Sequence, residues 1–416
     1  MDKASANNES IWSVVSPDKH VLPSASVQHT LRVGLAGFLE RLRPVYEPDD
    51  APFHSKDDLA PLSRRQLERV VPSPTWDEAR SVLLPALETW RSNWQSLQAA
   101  ALVVAPPFSG TRVMLEGIAQ AAGWRLISPP TAEQILAGQD RWFDQFEGDI
   151  PWLLPELSHL FLRHVHGLGL MRRFLARVWS GQLGQGVIGC GSWAWEYWRQ
   201  VMPELAPSAL TLQSLNAARL GLWFQELADP HEQRPVQFRQ ADNGYWVLAA
   251  RNEVAPLPKG ARHSEFLRDL GAYSRGLPEV AWQLWRLALR AEPETEVAEA
   301  AAEEADKADK NGNGQVAGLR TVWVAPWEQL KPPSVPAHAP KAVAFVLHAL
   351  LLHAGLDEHA LALVSGLSEE RVLQSLQILR RAELVMPVPR GWYIAPAAYP
   401  GVRRYLAGAG FQVDSY

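Results

Sequence analysis

Residues 101–122, ALVVAPPFSGTRVMLEGIAQAA, read as a buried strand, a tight turn and a helix, which is the layout of a phosphate-binding loop. The continuous apolar run Ala101 to Ala105 suits a strand covered on both faces. Pro106, Pro107, Ser109 and Gly110 break it sharply. Val113, Leu115, Ile118 and Ala119 then recur at helical spacing. A working loop of this kind reads G-x-x-x-x-G-K-[ST]: backbone N–H groups cradle phosphates, the Lys reaches the β/γ oxygens and the hydroxyl holds Mg²⁺. On that frame Ala105 replaces the first Gly, Gly110 keeps the second, Thr111 stands at the Lys position and Arg112 at the hydroxyl position. The architecture is kept and its chemistry is not.

The chain has 416 residues, enough for two to four domains. A net charge of −5 gives no global pull toward nucleic acid or an anionic membrane. The single cysteine, Cys190, excludes an intramolecular disulfide framework and fits a reducing compartment. The start MDKASANNES lacks a signal-peptide pattern. The most apolar stretch, Ala342 to Leu352, is too short to cross a bilayer. These features point to a cytoplasmic protein with no transmembrane segment. Eighteen Trp against eight Tyr imply bulky packing in the core and between domains, with an aromatic binding face as the alternative.

Strands alternate with helices on either side of the loop. Trp124 to Ile127, Trp152 to Leu154, Gln185 to Cys190 and Ala209 to Leu212 read as short strands. Between them, Thr131 to Phe146 and a long Leu- and Arg-rich stretch after Glu156 read as helices, as does Asn216 to Leu227. This order implies an α/β fold with a parallel sheet. Upstream, Leu31, Leu35, Phe38, Leu39 and Leu42 form one helical stripe, followed by a polar linker over 45–62 and helices over 63–70 and 76–98. The stripe needs an apolar partner, either the protein's own core or a groove on another subunit. Residues 236–250 alternate around Asp242-Asn243-Gly244, a hairpin signal. Phe266 to Leu289 form a helical pair broken at Gly276-Leu277-Pro278, and 291–316 is an acidic, Ala-rich linker. Lys341 to His353, Glu358 to Val364 and Glu369 to Arg381 read as three helices, with two strands around Pro389-Arg390-Gly391: the plan of a winged helix.

The order of these parts resembles the AAA+ ATPases and the signal-transduction ATPases related to them. The match runs over roughly 80–416: loop strand, acidic-motif strand, sensor strand, lid helices and winged helix. It implies a P-loop NTPase-like parallel sheet core with a helical lid and a C-terminal winged-helix domain. The expected segments are 1–75 (amphipathic helix), 76–228 (core), 229–290 (lid with a hairpin insertion), 291–316 (linker) and 317–416 (winged helix). In that family the acidic-motif Asp helps hold Mg²⁺ and the following Glu polarises water. Here Pro155 takes the Asp position and Glu156 stays. Ser192 falls where a polar sensor residue approaches the γ-phosphate, and Pro278 where a Gly-x-Pro element contacts nucleotide. The resemblance thus assigns Pro107, Ser109, Gly110, Thr111, Arg112, Ser192 and Pro278 to a vestigial nucleotide site. Glu156 is its one candidate catalytic residue, and ATP or ADP is the cofactor such a site would take.

Other candidates are weaker. His159 and His166 share one helical face while His164 points elsewhere, and no carboxylate or Cys completes a metal set. Cys190, on a buried strand, reads as an inert core thiol. No Gly-x-Ser-x-Gly, His-Glu-x-x-His or dinucleotide fingerprint occurs. The third tail helix opens with Glu369-Glu370, carboxylates that repel phosphate at the end meant to enter a groove, so protein contact is favoured over DNA. The expectation is a catalytically degenerate regulatory or scaffold subunit with protein partners and a capacity to oligomerise. Two alternatives are an ATPase switch in which Arg112 replaces the missing Lys, and a DNA-associated factor using the winged helix.

Overall fold

The structure is a computed structural model and describes residues 10–23, 59–92, 100–202, 209–228, 236–249, 261–292 and 320–416. In chain order, strands β1 (Val14–Val15) and β2 (Ala60–Pro61) precede helices α1 (Arg64–Val70) and α2 (Asp77–Ser92). Next come β3 (Ala100–Ala105), α3 (Thr111–Ala122), β4 (Arg125–Leu126), α4 (Ala132–Ala137), β5 (Trp152–Leu154), α5 (Gly169–Trp179) and β6 (Gly186–Gly191). They are followed by α6 (Ser192–Val201), β7 (Ala209–Leu212), α7 (Ala217–Leu227) and the hairpin of β8 (Val236–Gln240) and β9 (Trp246–Leu248). Helices α8 (Phe266–Ser274) and α9 (Pro278–Ala288) lead to β10 (Leu289–Ala291) and β11 (Arg320–Val324). The last part holds α10 (Ala342–Leu352), α11 (Glu358–Ser365), α12 (Glu369–Arg381), β12 (Val385–Val388), β13 (Gly391–Ile394) and α13 (Tyr399–Gly408).

The protein is α/β, with a mostly parallel sheet ordered β1-β7-β3-β6-β5-β4. Strand β3 is central and runs parallel to both β6 and β7, so the order reverses beside it. The six residues of β3 are all buried, which is why its sequence is unbroken apolar rather than alternating. β1 closes one edge antiparallel to β7. In α/β sheets of this kind, ligands bind outside the carboxyl ends of the strands where the order reverses. Residues 106–110 lie at that point.

A second sheet, ordered β2-β10-β11-β8-β9, was not foreseen beyond its hairpin. The Asp-Asn-Gly turn does join β8 to β9 antiparallel, but β8 also pairs in parallel with β11 over Val236 to Gln240. β11 falls within the expected 317–416 segment and yet belongs, by its hydrogen bonds, with the hairpin and the end of the helical pair. A five-residue strand that follows a linker and pairs with β10 on one side and β8 on the other offers no periodicity that reveals its partners.

Two expected helices are shorter than the sequence suggested. The span from Thr131 divides at Gly138, which has φ 59°, into α4 and a 3-10 helix over Asp140–Phe146. The Leu- and Arg-rich stretch after Glu156 begins as a 3-10 turn over Leu157–Leu160, and α5 starts only at Gly169. Gly167 forces the break: its N–H bonds the His164 carbonyl, and a Cβ there would lie 2.3 Å from the Leu162 carbonyl oxygen. His159, His164 and His166 consequently do not share a helix. The stripe over 31–43 and the linker over 293–316 lie outside the described residues, as does the end of the expected helix over 93–98.

Three helices and the β12–β13 ribbon form as expected in the last part, and α13, which the sequence pattern did not suggest, follows them. Helix α10 is apolar on every side and buried nearly throughout, so it sits at the centre, packed on α11, α12, α13 and on α6 of the large sheet's domain. None of the helices among the described residues is long and apolar enough to cross a membrane.

Local side-chain volume sets the register of β5 and β6. Trp152 is 1% exposed, donates its indole N–H to the Leu183 carbonyl at 2.6 Å, and lies flat against Gly186. A Cβ on Gly186 would meet the ring at 2.1 Å. Gly186→Ala should therefore destabilise the protein by about 1–3 kcal/mol, since the core must shift to admit a methyl group. Gly408→Ala, where a Cβ meets nothing within 4 Å, should shift stability by less than about 0.5 kcal/mol. Urea unfolding midpoints of the two variants check this.

Candidate functional site

The turn after β3 is built as a phosphate-binding loop is, and then covered. Phe108 and Gly110 both take positive φ, 66° and 74°, to turn the chain into α3. For Phe108 that conformation is costly and must be held by its surroundings. Gly110 is required twice, by its φ and by Trp76, whose ring would lie 2.6 Å from an added Cβ. Pro106 to Thr111 are all buried. The hydroxyls of Ser109 and Thr111 meet each other at 3.0 Å.

Two parts of the chain make the cover. The Glu279 N–H, in the first turn of α9, donates to the Phe108 carbonyl at 3.1 Å. The Phe108 ring packs against Tyr393 of β13 and Tyr399 of α13, with centroids 5.3 and 5.4 Å away. Aromatic rings of the C-terminal part thus lie where the loop faces outward. Arg112 is exposed and paired with Glu116 one helical turn on, at 3.0 Å.

Glu156 joins two strand ends. Its Oε1 accepts the N–H of Ser158 and the N–H of Gly191, each at 3.0 Å, which links the end of β5 to the end of β6. Burial pushes its carboxyl up, and those two hydrogen bonds pull it back toward the charged form. Pro155 at the neighbouring position has no side-chain oxygen for a metal. Cys190 is buried on β6 with its thiol pushed well up by burial, as an inert core thiol should be.

Ser192 is fully buried and donates its hydroxyl to the carboxylate of Asp414, 222 residues away. Asp414 is itself 2% exposed and held by Arg403 Nε at 3.0 Å. The Tyr399 hydroxyl lies 3.5 Å from the same carboxylate and accepts the indole N–H of Trp193 at 3.2 Å. Burial pushes the Asp414 carboxyl up, while Ser192, Arg403 and the charge of Arg275 oppose the rise.

Residues 275–278, between the two helices of the pair, tie it to both sides. Gly276, with φ 69°, brings its carbonyl to the Leu215 N–H at 3.0 Å, and a Cβ there would strike the Leu215 backbone at 2.6 Å. Arg275, also left-handed at φ 58°, donates through Nε to the Tyr416 carbonyl at 2.7 Å. Pro278 is buried at the first position of α9. Ser109, Gly110, Thr111, Glu156, Ser192 and Pro278 therefore gather at one end of the sheet, and Arg112 lies at its rim. Sequence reasoning missed Phe108, Arg275, Glu279, Tyr393, Tyr399, Arg403 and Asp414. Only Phe108, inside the loop itself, carried a local signal: a bulky apolar residue where a phosphate cradle needs open backbone.

No protein-family model matches the chain, and no curated protein matches it. Among solved structures it is similar to a RuvB mutant of Thermotoga maritima, at 14% identity, covering 82% of this chain and 96% of that one with a TM-score of 0.30. It is also similar to the ORC2 protein of Aeropyrum pernix in ADPNP and ADP complexes, at 13% identity, covering 82% and 96% with a TM-score of 0.31. At these scores the likeness carries no argument.

The network at Asp414 generates one expectation. Asp414→Ala leaves the buried Ser192 hydroxyl and the Arg403 Nε–H without their acceptor, though Arg403 keeps the backbone carbonyl of residue 414, and should cost about 3–5 kcal/mol, as removal of one member of a buried ion pair does. Denaturant unfolding measures it. Asp414→Asn, which keeps an acceptor for Ser192, should cost less.

A second concerns pH. His159, His348 and His353 lie where residues 157–163 meet α10, with Arg163 Nη1 3.3 Å from His348 Nδ1 and the Arg163 N–H on His353 Nε2 at 3.4 Å. Burial first, then neighbouring Arg charge, lowers them to about 3, about 4 and about 3. Folded values below the unfolded value near 6.5 mean that unfolding takes up protons. Stability is full above pH ~6.5 and falls as pH drops from there toward about 3. Unfolding midpoints at pH 7.5 and pH 5 should differ accordingly, and a His348→Gln, His353→Gln double variant should narrow the difference.

Proposed function

We propose that this chain is a catalytically degenerate P-loop protein of the AAA+ and signal-transduction ATPase type, acting as a regulatory or scaffold subunit. Residues 76–228 would be its nucleotide-fold core, 229–290 its lid and 317–416 its winged-helix module, apart from β11, which belongs with the lid sheet. The observation that carries this reading is the cover over the loop. Phe108, Tyr393 and Tyr399 fill its outer face, and the Glu279 N–H takes the Phe108 carbonyl. The chemistry of the residues agrees: Thr111 supplies no cation, Pro155 supplies no metal ligand, and Glu156 spends its carboxylate on bridging two backbones.

What remains useful in such a protein is the rigid link between loop, lid and C-terminal module, suited to holding protein subunits in fixed relation. The reading of the last module as DNA-binding has less support. Glu369 and Glu370 sit in the first turn of α12 ahead of Arg371, and Arg380 and Arg381 are exposed in its last turn.

Nucleotide titration decides between scaffold and switch. Losing the Lys and a metal ligand removes charge-assisted bonds worth roughly 1.5–3 kcal/mol each. The purified chain should show no Mg²⁺-dependent ATP hydrolysis above background and no ATP or ADP affinity below the millimolar range. Turnover that disappears in Glu156→Gln would establish the ATPase-switch alternative instead.

A further inference from the structure

A partly open pocket of about 160 Å³ lies beside the covered loop, where three distant parts of the chain meet. Ser73, Pro74 and Trp76 come from the segment before α2, Glu279, Trp282 and Gln283 from α9, and Pro396 from the C-terminal part. We propose that this pocket is a binding site for an organic cation, an alkylated or methylated ammonium head, with the Glu279 carboxylate as counter-ion and the Trp76 and Trp282 indoles as walls.

Three observations support the assignment. The first is composition: the walls include two Trp and one Glu, and among the described residues no cationic side chain lines the pocket. Aromatic faces attract cations through the ring quadrupole, and desolvated sites do so most strongly. The second is that Trp282 already behaves this way. The Arg286 guanidinium lies 4.5 Å from its ring centroid, while its N–H is committed to the Pro72 carbonyl at 3.0 Å, which fixes the indole in place. The third is the state of Glu279. Burial alone pushes its carboxyl up to about 7, with no compensating partner, so a bound cation would supply what the fold does not. A cavity of about 150 Å³ accommodates benzene, so this volume fits a head group of five to eight heavy atoms.

Position gives the site a consequence. The Glu279 backbone holds the Phe108 carbonyl, and Trp76 covers Gly110, so an occupant would touch two residues that hold the loop, together with Pro396 of the C-terminal part. The head group could come from a free amine or from a lysine side chain of a partner protein.

The test uses the full chain and isothermal titration calorimetry with choline, its neutral isostere 3,3-dimethyl-1-butanol, and two acetylated, amidated peptides that differ only in Lys or trimethyl-Lys. Choline or a Lys-bearing peptide should bind at least tenfold more tightly than the neutral alcohol. Glu279→Gln, which keeps the shape and the backbone N–H, should lower cation affinity at least tenfold. Ser73→Lys, which tethers an ammonium at the rim and leaves Glu279 untouched, should block it as well. Binding of a peptide but not of choline would assign the site to a partner's side chain, and the reverse to a free amine. Equal binding of choline and the alcohol, unchanged affinity in Glu279→Gln, or no binding by any of these probes would overturn the proposal.

Discussion

The contact on which the rest of this structure depends is the docking of the C-terminal residues onto the carboxyl ends of the parallel strands. Tyr393 and Tyr399 lie on Phe108, and Asp414 enters a buried network with Ser192, Arg403, Tyr399 and, through Tyr399, Trp193. The rings supply the driving force, since apolar area leaves water there. The polar network adds little net energy, because desolvating Asp414 and Arg403 offsets much of their attraction. What it supplies is position: a carboxylate this deeply buried has few places where its oxygens are all satisfied. Phe108 can then keep its positive φ, because neighbours on two sides hold it.

The heavy Trp load is explained largely by packing. Trp12, Trp76 and Trp223 form one edge-on and tilted group under the loop, and Trp142 and Trp152 join Phe146 and Phe174 in another. Phe224 of α7 stacks on Trp285 of α9 at 5.0 Å. The large rings bridge gaps between sheet, lid and C-terminal helices that smaller side chains would leave void. Trp282, with Arg286 over its ring and a pocket beside it, also meets charge, as Trp246 does beside Arg239.

Much of the fold was legible because its signals are local. The run Ala101 to Ala105 can only be a strand buried on both faces, Gly110 can only follow a sharp turn, and Asp242-Asn243-Gly244 can only close a hairpin. The helix read over Asn216 to Leu227 forms, and Asn216 caps it through the Arg219 N–H at 3.0 Å. The failures are also physical. The stretch after Glu156 has helical composition, but Gly167 packs its backbone onto Leu162 and breaks it. β11 is short and paired with strands far away in sequence, so nothing within its own five residues marks its place. α13 carries Pro400 in its first turn, where a missing N–H breaks no intrahelical bond.

The sequence by itself determined that a buried strand, a tight turn and a helix follow one another at 101–122, with no Lys at 111, no hydroxyl at 112 and Pro at 155, because those are properties of residue type and spacing. It also determined the α/β order and the helical pair broken at Gly276. Only the tertiary structure decided what became of the loop. Whether Ser192 faces an open site or Asp414, and whether Glu156 faces water or two backbone amides, depends on contacts across up to 222 residues of chain. No local pattern encodes such contacts. They form because burying the C-terminal rings on the strand ends removes more apolar surface from water than leaving the loop open, and the polar groups beneath then have only each other.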